Sequence, residues 1–274
     1  MSTRYCVGLW EVSSHYDIYI FDIWGVIHNG IALYPDVISC LESLKSAKKQ
    51  VCFLSNSPRS FTHHERFFTA LGLRRSLYDF IYTSGDALTT ALDQSPAITA
   101  EDSFFFMGDD VLHQPIIEEM KGKRVPVLQE AQYILCTAPV PNYFSLLKEG
   151  VALNLPMLCS NPDRFAMHGN QKIMCAGSVA ESYEKDGGKV FYCGKPERFM
   201  FESALQRLGN PSLTTILMIG DGLFTDIKGA QNMGIDSMFI SGGLHSLELQ
   251  KEDLESWFKK ENIRPTYVLP QVRW

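Results

Sequence analysis

The chain has 274 residues, 45% of them apolar and 20% charged, with a formal net charge of −6. That length carries one large or two modest domains with cores of their own. The acidic balance excludes an overall basic surface for nucleic acid or an anionic membrane, and no window approaches the roughly 18 apolar residues of a membrane span.

The seven cysteines are scattered, odd in number and without C-x-x-C spacing, which predicts free thiols in a reducing compartment. With no sustained apolar segment near Met1, the expectation is a cytoplasmic protein.

In chain order, a short helical lead-in precedes a strand over about 17–22, ending on Asp22. Gly25 to Gly30 then form a hairpin-like flap, because Asn29-Gly30 is a strong turn signal. Pro35 opens a helix with Val37, Ile38, Leu41 and Leu44 on one face, and Val51 to Leu54 form a second buried strand that runs into Ser55-Asn56-Ser57-Pro58. Residues 60–71 read as helix, with His63 and His64 as an exposed pair whose adjacent spacing cannot share a metal. A short strand follows within 79–85.

The middle, 86–190, has its own strands at 103–107 and 132–136 and helices near 110–121 and 142–149. Phe104, Phe105 and Phe106 read as core there, and Gly187-Gly188 as a linker. A helix over 197–208 then leads to the strand Thr214 to Ile219. This strand carries Gly220-Asp221 and, five residues on, Asp226; a helix and a last strand near Asp236 to Ile240 complete the chain. The pattern predicts an α/β protein: a parallel-sheet, Rossmann-like core formed by 1–85 and 191–274, split by an inserted α/β domain over 86–190.

Four clusters fall at strand ends of such a core: Asp22, Ser55 with Asn56, Lys195, and Asp221 with Asp226. Converging carboxylates repel one another unless a cation lies between them, and Mg²⁺ prefers oxygen ligands. A lysine and a hydroxyl/amide pair beside that ion suit the non-bridging oxygens of a phosphoryl group, leaving Asp22 to attack phosphorus.

In these motifs the chain resembles the haloacid dehalogenase superfamily, specifically the sugar-phosphate, nucleotide and nitrophenyl phosphatases with a large α/β cap. The resemblance rests on Asp22-Ile23-Trp24-Gly25-Val26, Leu54-Ser55-Asn56-Ser57, Gly194-Lys195-Pro196 and Gly220-Asp221 through Thr225-Asp226. In the cap, Ser160-Asn161-Pro162-Asp163 and a Gly-Ser turn at Cys175-Ala176-Gly177-Ser178 agree with it.

The resemblance implies Asp22 as nucleophile, Lys195 as its catalytic partner, and a metal set of Asp22, the Trp24 carbonyl, Asp221 and Asp226. Ser55, Asn56, Ser57, Asn161 and Asp163 are implied substrate contacts, Mg²⁺ the cofactor, a small phosphorylated metabolite the ligand, and a homodimer the assembly. Arg164 reads either as a substrate contact or as solvated surface.

The chain departs from the family at Trp24, where its phosphatases carry an Asp as general acid and base. Such a group contributes about 10²- to 10⁴-fold, and His28, with an unperturbed pKa of about 6.5, is the residue in the flap that can replace it. Two other readings stay open: a phosphate-binding relative with weak or no turnover, favoured by Trp24, and attack of Asp22 on carbon as in the dehalogenases. The complete pair Asp221 and Asp226 argues against the latter.

Overall fold

The structure is a computed structural model that describes residues 3–95, 97–169, 171–243 and 253–274. The first part runs β1 (Arg4–Tyr5), β2 (Ile18–Phe21), α1 (Val37–Ser46), β3 (Gln50–Ser55), α2 (Phe61–Ala70), β4 (Phe80–Thr83) and α3 (Leu88–Gln94). Next come β5 (Phe104–Met107), α4 (Gln114–Glu119), β6 (Arg124–Val125), β7 (Tyr133–Cys136), α5 (Tyr143–Ala152) and β8 (Pro156–Cys159). They are followed by β9 (Phe165–His168), β10 (Gln171–Met174), α6 (Ala176–Lys185) and β11 (Lys189–Tyr192). The chain ends with α7 (Arg198–Arg207), β12 (Ile216–Gly220), α8 (Lys228–Met233), β13 (Asp236–Ile240), α9 (Leu254–Glu261) and β14 (Tyr267–Leu269).

Two parallel sheets result. One has the order β1-β14-β13-β12-β2-β3-β4, the other β11-β8-β7-β5-β6, and β9 with β10 forms a separate antiparallel hairpin. The inner strands are apolar on both sides because each face is covered, as parallel sheets require. With a side-chain period of two, Tyr19, Phe21, Val51, Phe53, Leu217 and Ile219 pack on one face against Val37, Leu41 and Leu44 of α1.

On the other face Ile18, Ile20, Cys52, Leu54, Ile216 and Met218 pack against Met200, Phe201 and Ala204 of α7. That second cluster continues through Leu88 and Leu92 of α3 into Phe104, Tyr133 and Leu135 of the smaller sheet. Apolar burial is thus continuous between the sheets, each large side chain contributing roughly 1.5–3 kcal/mol.

Several expectations change. The lead-in is a two-residue strand and a short 3₁₀ turn at Leu9–Glu11, because Arg4 pairs with Tyr267 at the sheet edge. The strand near 236–240 is not the last: β14 lies beyond it. Cys175 to Ser178 is no turn but the start of α6, whose Gly177 lies so close to the Pro162 carbonyl that a Cβ would sit 2.2 Å from it. His64 is buried rather than exposed, packed against Phe68.

All seven cysteines are buried free thiols. Burial pushes those of Cys40, Cys159 and Cys175 up to about 12. Among the described residues no helix is long and apolar enough to cross a membrane.

Candidate active site

The larger sheet changes winding direction between β12 and β2, and ligands of open parallel sheets bind beyond the carboxyl ends of the strands at such a point. Phe21 is in register with Ile219, and the Asp22 amide donates to the Ile219 carbonyl at 2.8 Å. This register brings Asp22 and Asp221 to the same edge. The turn after Gly220 folds Asp226 back, its Oδ2 accepting from the Gly222 amide at 2.9 Å. Carboxylate oxygens of Asp22, Asp221 and Asp226 all lie within 4.8 Å of one another, and all three residues are buried.

Close packing of backbone makes room for this cluster. Gly25, with φ of +80°, lies against the Asp221 carboxylate, where a Cβ would come within 1.8 Å of Oδ2. Any side chain at 25 would therefore displace that oxygen as well as strain the backbone.

Lys195 supplies the counter-charge. Its buried Nζ donates to Asp22 Oδ1 at 2.5 Å and to the Leu54 carbonyl at 2.7 Å, and lies 2.7 Å from Asp226 Oδ1. The Asp226 contact has short distance but no hydrogen-bond alignment, so Oδ1 remains a buried oxygen without a hydrogen bond. Burial drives the Asp22 carboxyl well above its usual range, opposed by Lys195 and reinforced by Asp226 and Asp221. For Lys195 burial acts downward, but Asp22, Asp226 and Asp163 together hold the ammonium above its ordinary value.

Asn56 organises the site rather than facing it. Its amide donates to the Lys195 carbonyl at 3.1 Å and to Asp163 Oδ1 at 2.9 Å, while its Oδ1 accepts from the Lys195 amide at 2.7 Å. Both amide protons are thereby used, so the side chain has no donor left for a ligand. Ser55 and Ser57 differ: each hydroxyl accepts one backbone N–H, from Ser57 and Arg59, and keeps its own proton to donate.

Asn161 Oδ1 accepts from the Asp163 amide at 3.2 Å and thereby shapes the turn. Asp163 borders a cavity of about 30 Å³ together with Asp22, Asp221 and Asp226, beneath Phe165 and Met167 of β9. Burial raises the Asp163 carboxyl to about 6 against the pull of Lys195 and Asn56. Arg164 turns away and pairs with Glu181 at 2.6 Å.

Trp24 borders the same small cavity, and its ring packs on His28 and Gly30. His28 cannot stand in for the missing acid. It is fully buried among Trp24, Phe67 and Phe68, its Nδ1 accepts from the Gly30 amide at 2.9 Å, and burial pushes it down to about 3.

A second cavity of about 660 Å³ lies between the carboxyl ends of the two sheets, bordered by Ser57, Asn161 and Asp163 and by Arg59, His113 and Thr137. Sequence reasoning missed the last three, because only the facing of the sheets brings them to the site.

Comparison with known proteins agrees with this geometry. Residues 19–121 match the family model for haloacid dehalogenase-like hydrolases, and 192–274 match the HAD-hydrolase-like model. The ribonucleotide monophosphatase NagD of Escherichia coli (strain K12) is 30% identical over 123 residues, 44% of this chain and 44% of that protein. The dihydroxyacetone phosphatase of Corynebacterium glutamicum (strain R) is 30% identical over 42% of this chain and 39% of its own length. The chain thus spans less than half the length of these two curated relatives.

Phosphoglycolate phosphatase 2 of Arabidopsis thaliana is 26% identical over 84% of both chains. Among solved structures, a haloacid dehalogenase-like hydrolase from Brucella suis 1330 superposes with a TM-score of 0.85 at 29% identity, covering 97% of this chain and 99% of the other. The 4-nitrophenylphosphatase of Thermotoga maritima shares the fold, with a TM-score of 0.72 at 20% identity over 95% and 96% of the two chains.

Proposed function

Since the chain belongs to the haloacid dehalogenase superfamily, we propose that it hydrolyses the phosphate monoester of a small metabolite, a sugar phosphate, nucleotide or aryl phosphate, through an aspartyl-phosphate on Asp22. The carrying observation is the buried Lys195 ammonium between Asp22 and Asp226, with the Asp221 carboxylate in the same small cavity. Nucleophile, counter-charge and cation site share one place.

The donor set fits Mg²⁺: three carboxylates within 4.8 Å, one of them with a buried oxygen that has no hydrogen bond, and the Trp24 carbonyl as a further oxygen. When bound, the ion offsets the negative charge of the carboxylates and of the phosphoryl oxygens.

The side chains divide the remaining work. Lys195 holds Asp22 Oδ1, which turns the other carboxylate oxygen to phosphorus. That oxygen forms the new bond to phosphorus as the bond to the alcohol oxygen breaks. The hydroxyls of Ser55 and Ser57 each keep a proton that can be donated to a non-bridging oxygen.

Asp163 is the carboxyl that supplies a proton in place of the residue at 24. It gives its proton to the departing alcohol and takes one back from the water that cleaves the phospho-Asp22 bond, releasing inorganic phosphate. With its carboxyl held near 6 by burial, it exchanges protons readily around neutral pH.

Hydrolysis of 4-nitrophenyl phosphate by the purified chain, with Mg²⁺ and with EDTA, tests this beside Asp22→Asn. Metal-dependent turnover that disappears in the variant supports the proposal; turnover equal in both proteins overturns it. Trp24 favours a second reading, a phosphate-binding relative without turnover. Its mark is Mg²⁺-dependent phosphate binding with no hydrolysis above Asp22→Asn.

A further inference from the structure

The smaller sheet has a switch point of its own. From β5 the chain winds to β6 on one side, and from β7 it winds to β8 and β11 on the other, so the reversal lies between β5 and β7. A crevice at the carboxyl ends of two such strands is a ligand position by the same winding rule that applies to the larger sheet. Asp109 and His113 follow β5, Thr137 follows β7, and the 660 Å³ cavity opens on them.

The walls carry unusual polar chemistry. His113 is buried, with Nδ1 2.9 Å from Thr137 Oγ1. That hydroxyl donates to the Met107 carbonyl at 3.3 Å, so the ring proton sits on Nδ1 and is given to Oγ1. Opposite stands Arg59, from the loop after β3. Its guanidinium is half-buried and makes one side-chain hydrogen bond, to His63 Nε2 at 3.0 Å.

Among the described residues no carboxylate pairs with Arg59, and Asp109 is the one charge that opposes its desolvation. A guanidinium stays charged at all accessible pH, and with no anion in contact its desolvation is offset only in part, by Asp109 on the same cavity wall. The cavity is within the size range of small-molecule sites and also touches Ser57 and Asp163 beside the acid cluster.

We propose that this crevice holds the far end of the substrate, and that Arg59 binds a second anionic group on the esterified alcohol, a carboxylate or a second phosphate. The word substrate rests on the hydrolase reading above; the anion site does not. An anion there completes the hydrogen-bonding of the guanidinium and pairs its charge, which favours esters with two charged ends over those with one.

The test uses the full chain with Mg²⁺ and two matched pairs: phosphoglycolate against ethyl phosphate, and glucose 1,6-bisphosphate against glucose 6-phosphate. In at least one pair the doubly anionic ester is preferred in kcat/KM by about 10-fold, the value of one charge-assisted contact. The pair that shows the preference distinguishes carboxylate from phosphate.

Arg59→Gln brings that ratio towards one, chiefly through KM, and Arg59→Lys retains part of it; unchanged melting temperatures verify folding. A ratio near one in the parent protein for both pairs, or one that Arg59→Gln leaves intact, overturns the proposal. If no ester is turned over, calorimetric binding of the same four compounds to the parent and Arg59→Gln proteins decides. An Arg59-dependent preference for two charges then upholds the anion site while the hydrolase reading falls; no preference overturns the site.

Discussion

The Trp24 indole meets the His28 imidazole edge to face, with ring centroids 4.8 Å apart. This pairing removes two acid/base groups at once: the residue at 24 has no exchangeable carboxyl, and the ring behind it is sealed from the cavity and held neutral. The proposed reaction therefore places its proton transfer on Asp163, which borders both cavities.

Replacing Asp163 by Asn removes that proton while keeping an acceptor for the Asn56 amide. The expected loss in kcat is about 10²- to 10⁴-fold for alkyl phosphates and far smaller for 4-nitrophenyl phosphate, whose leaving group needs little protonation. The acid must be protonated for the first step, so kcat/KM for alkyl esters falls as pH rises through about 6. Steady-state pH profiles on both esters check this; matching profiles would reject the role of Asp163.

Trp24→Asp restores a carboxyl at the position the family uses and removes an indole packed on His28 and Gly30. We expect faster hydrolysis of alkyl phosphates together with a stability loss of about 2–4 kcal/mol. Urea unfolding and kcat on one alkyl ester measure the two effects, and a slower, equally stable variant contradicts both.

Lys195→Met leaves Asp22 and Asp226 facing each other without their ammonium. Breaking a buried ion pair from one side costs about 3–5 kcal/mol. Turnover should vanish with it, since Asp22 loses both its charge partner and its orientation. Chemical denaturation separates the two effects, and a variant of parent stability contradicts the central place given to this ammonium.

Mg²⁺ should raise the melting temperature of the parent chain in a concentration-dependent way, by about 2.7 kcal/mol of stability at 100 times its dissociation constant. Asp221→Asn should lose most of that response. Differential scanning fluorimetry with and without EDTA reads it, and a parent protein indifferent to Mg²⁺ speaks against the cation site.

Buried histidines give an acid-side signature. Burial pushes His28 and His64 down to about 3 and His113 down to about 4. In the unfolded chain such rings titrate near 6.5, so below about pH 6.5 the unfolded state binds protons that the folded state does not. Their contribution is full above that pH and is lost on acidification by up to about 1.4 kcal/mol per pH unit for each ring.

Asp163, raised in the folded state, acts with the opposite sign between about 4 and 6. The measurement is therefore a difference: relative to His64→Leu, the parent chain should lose stability as pH falls from 7 to 5. A constant difference across that range rejects the assignment.

Much of the larger sheet is legible in the sequence because Ile18 to Phe21, Val51 to Leu54 and Ile216 to Ile219 are contiguous apolar runs ending in polar residues. Asp22, Ser55 and Asp221 stand at those ends, so their convergence follows once the sheet is parallel, whereas Lys195 arrives from beyond β11 of the smaller sheet and Asp226 is folded back by the turn after Asp221. What is hidden depends on packing between distant segments.

The family resemblance implies a Gly-Ser turn at Cys175 to Ser178, where the structure begins α6 and uses Gly177 to let Pro162 approach. His28 beside the Asn29-Gly30 turn and His64 within Thr62 to Arg66 are nonetheless buried by Trp24, Phe67 and Phe68. The mixed pattern of Gln171–Met174 conceals β10, which is exposed and, among the described residues, pairs only with β9. Arg59 and His113 lie 54 positions apart and come to one cavity only when the two sheets face each other.

The buried thiols have a practical use. Cys40 and Cys52 lie in the larger sheet and the helix that covers it, Cys136 and Cys159 lie in the smaller sheet, and Cys193 donates to the Ser84 carbonyl where the chain passes between them. Alkylation requires exposed thiolate, so each cysteine reacts at the rate at which its own surroundings open. Pulse labelling followed by peptide mass analysis would time the opening of each sheet separately in the unaltered protein.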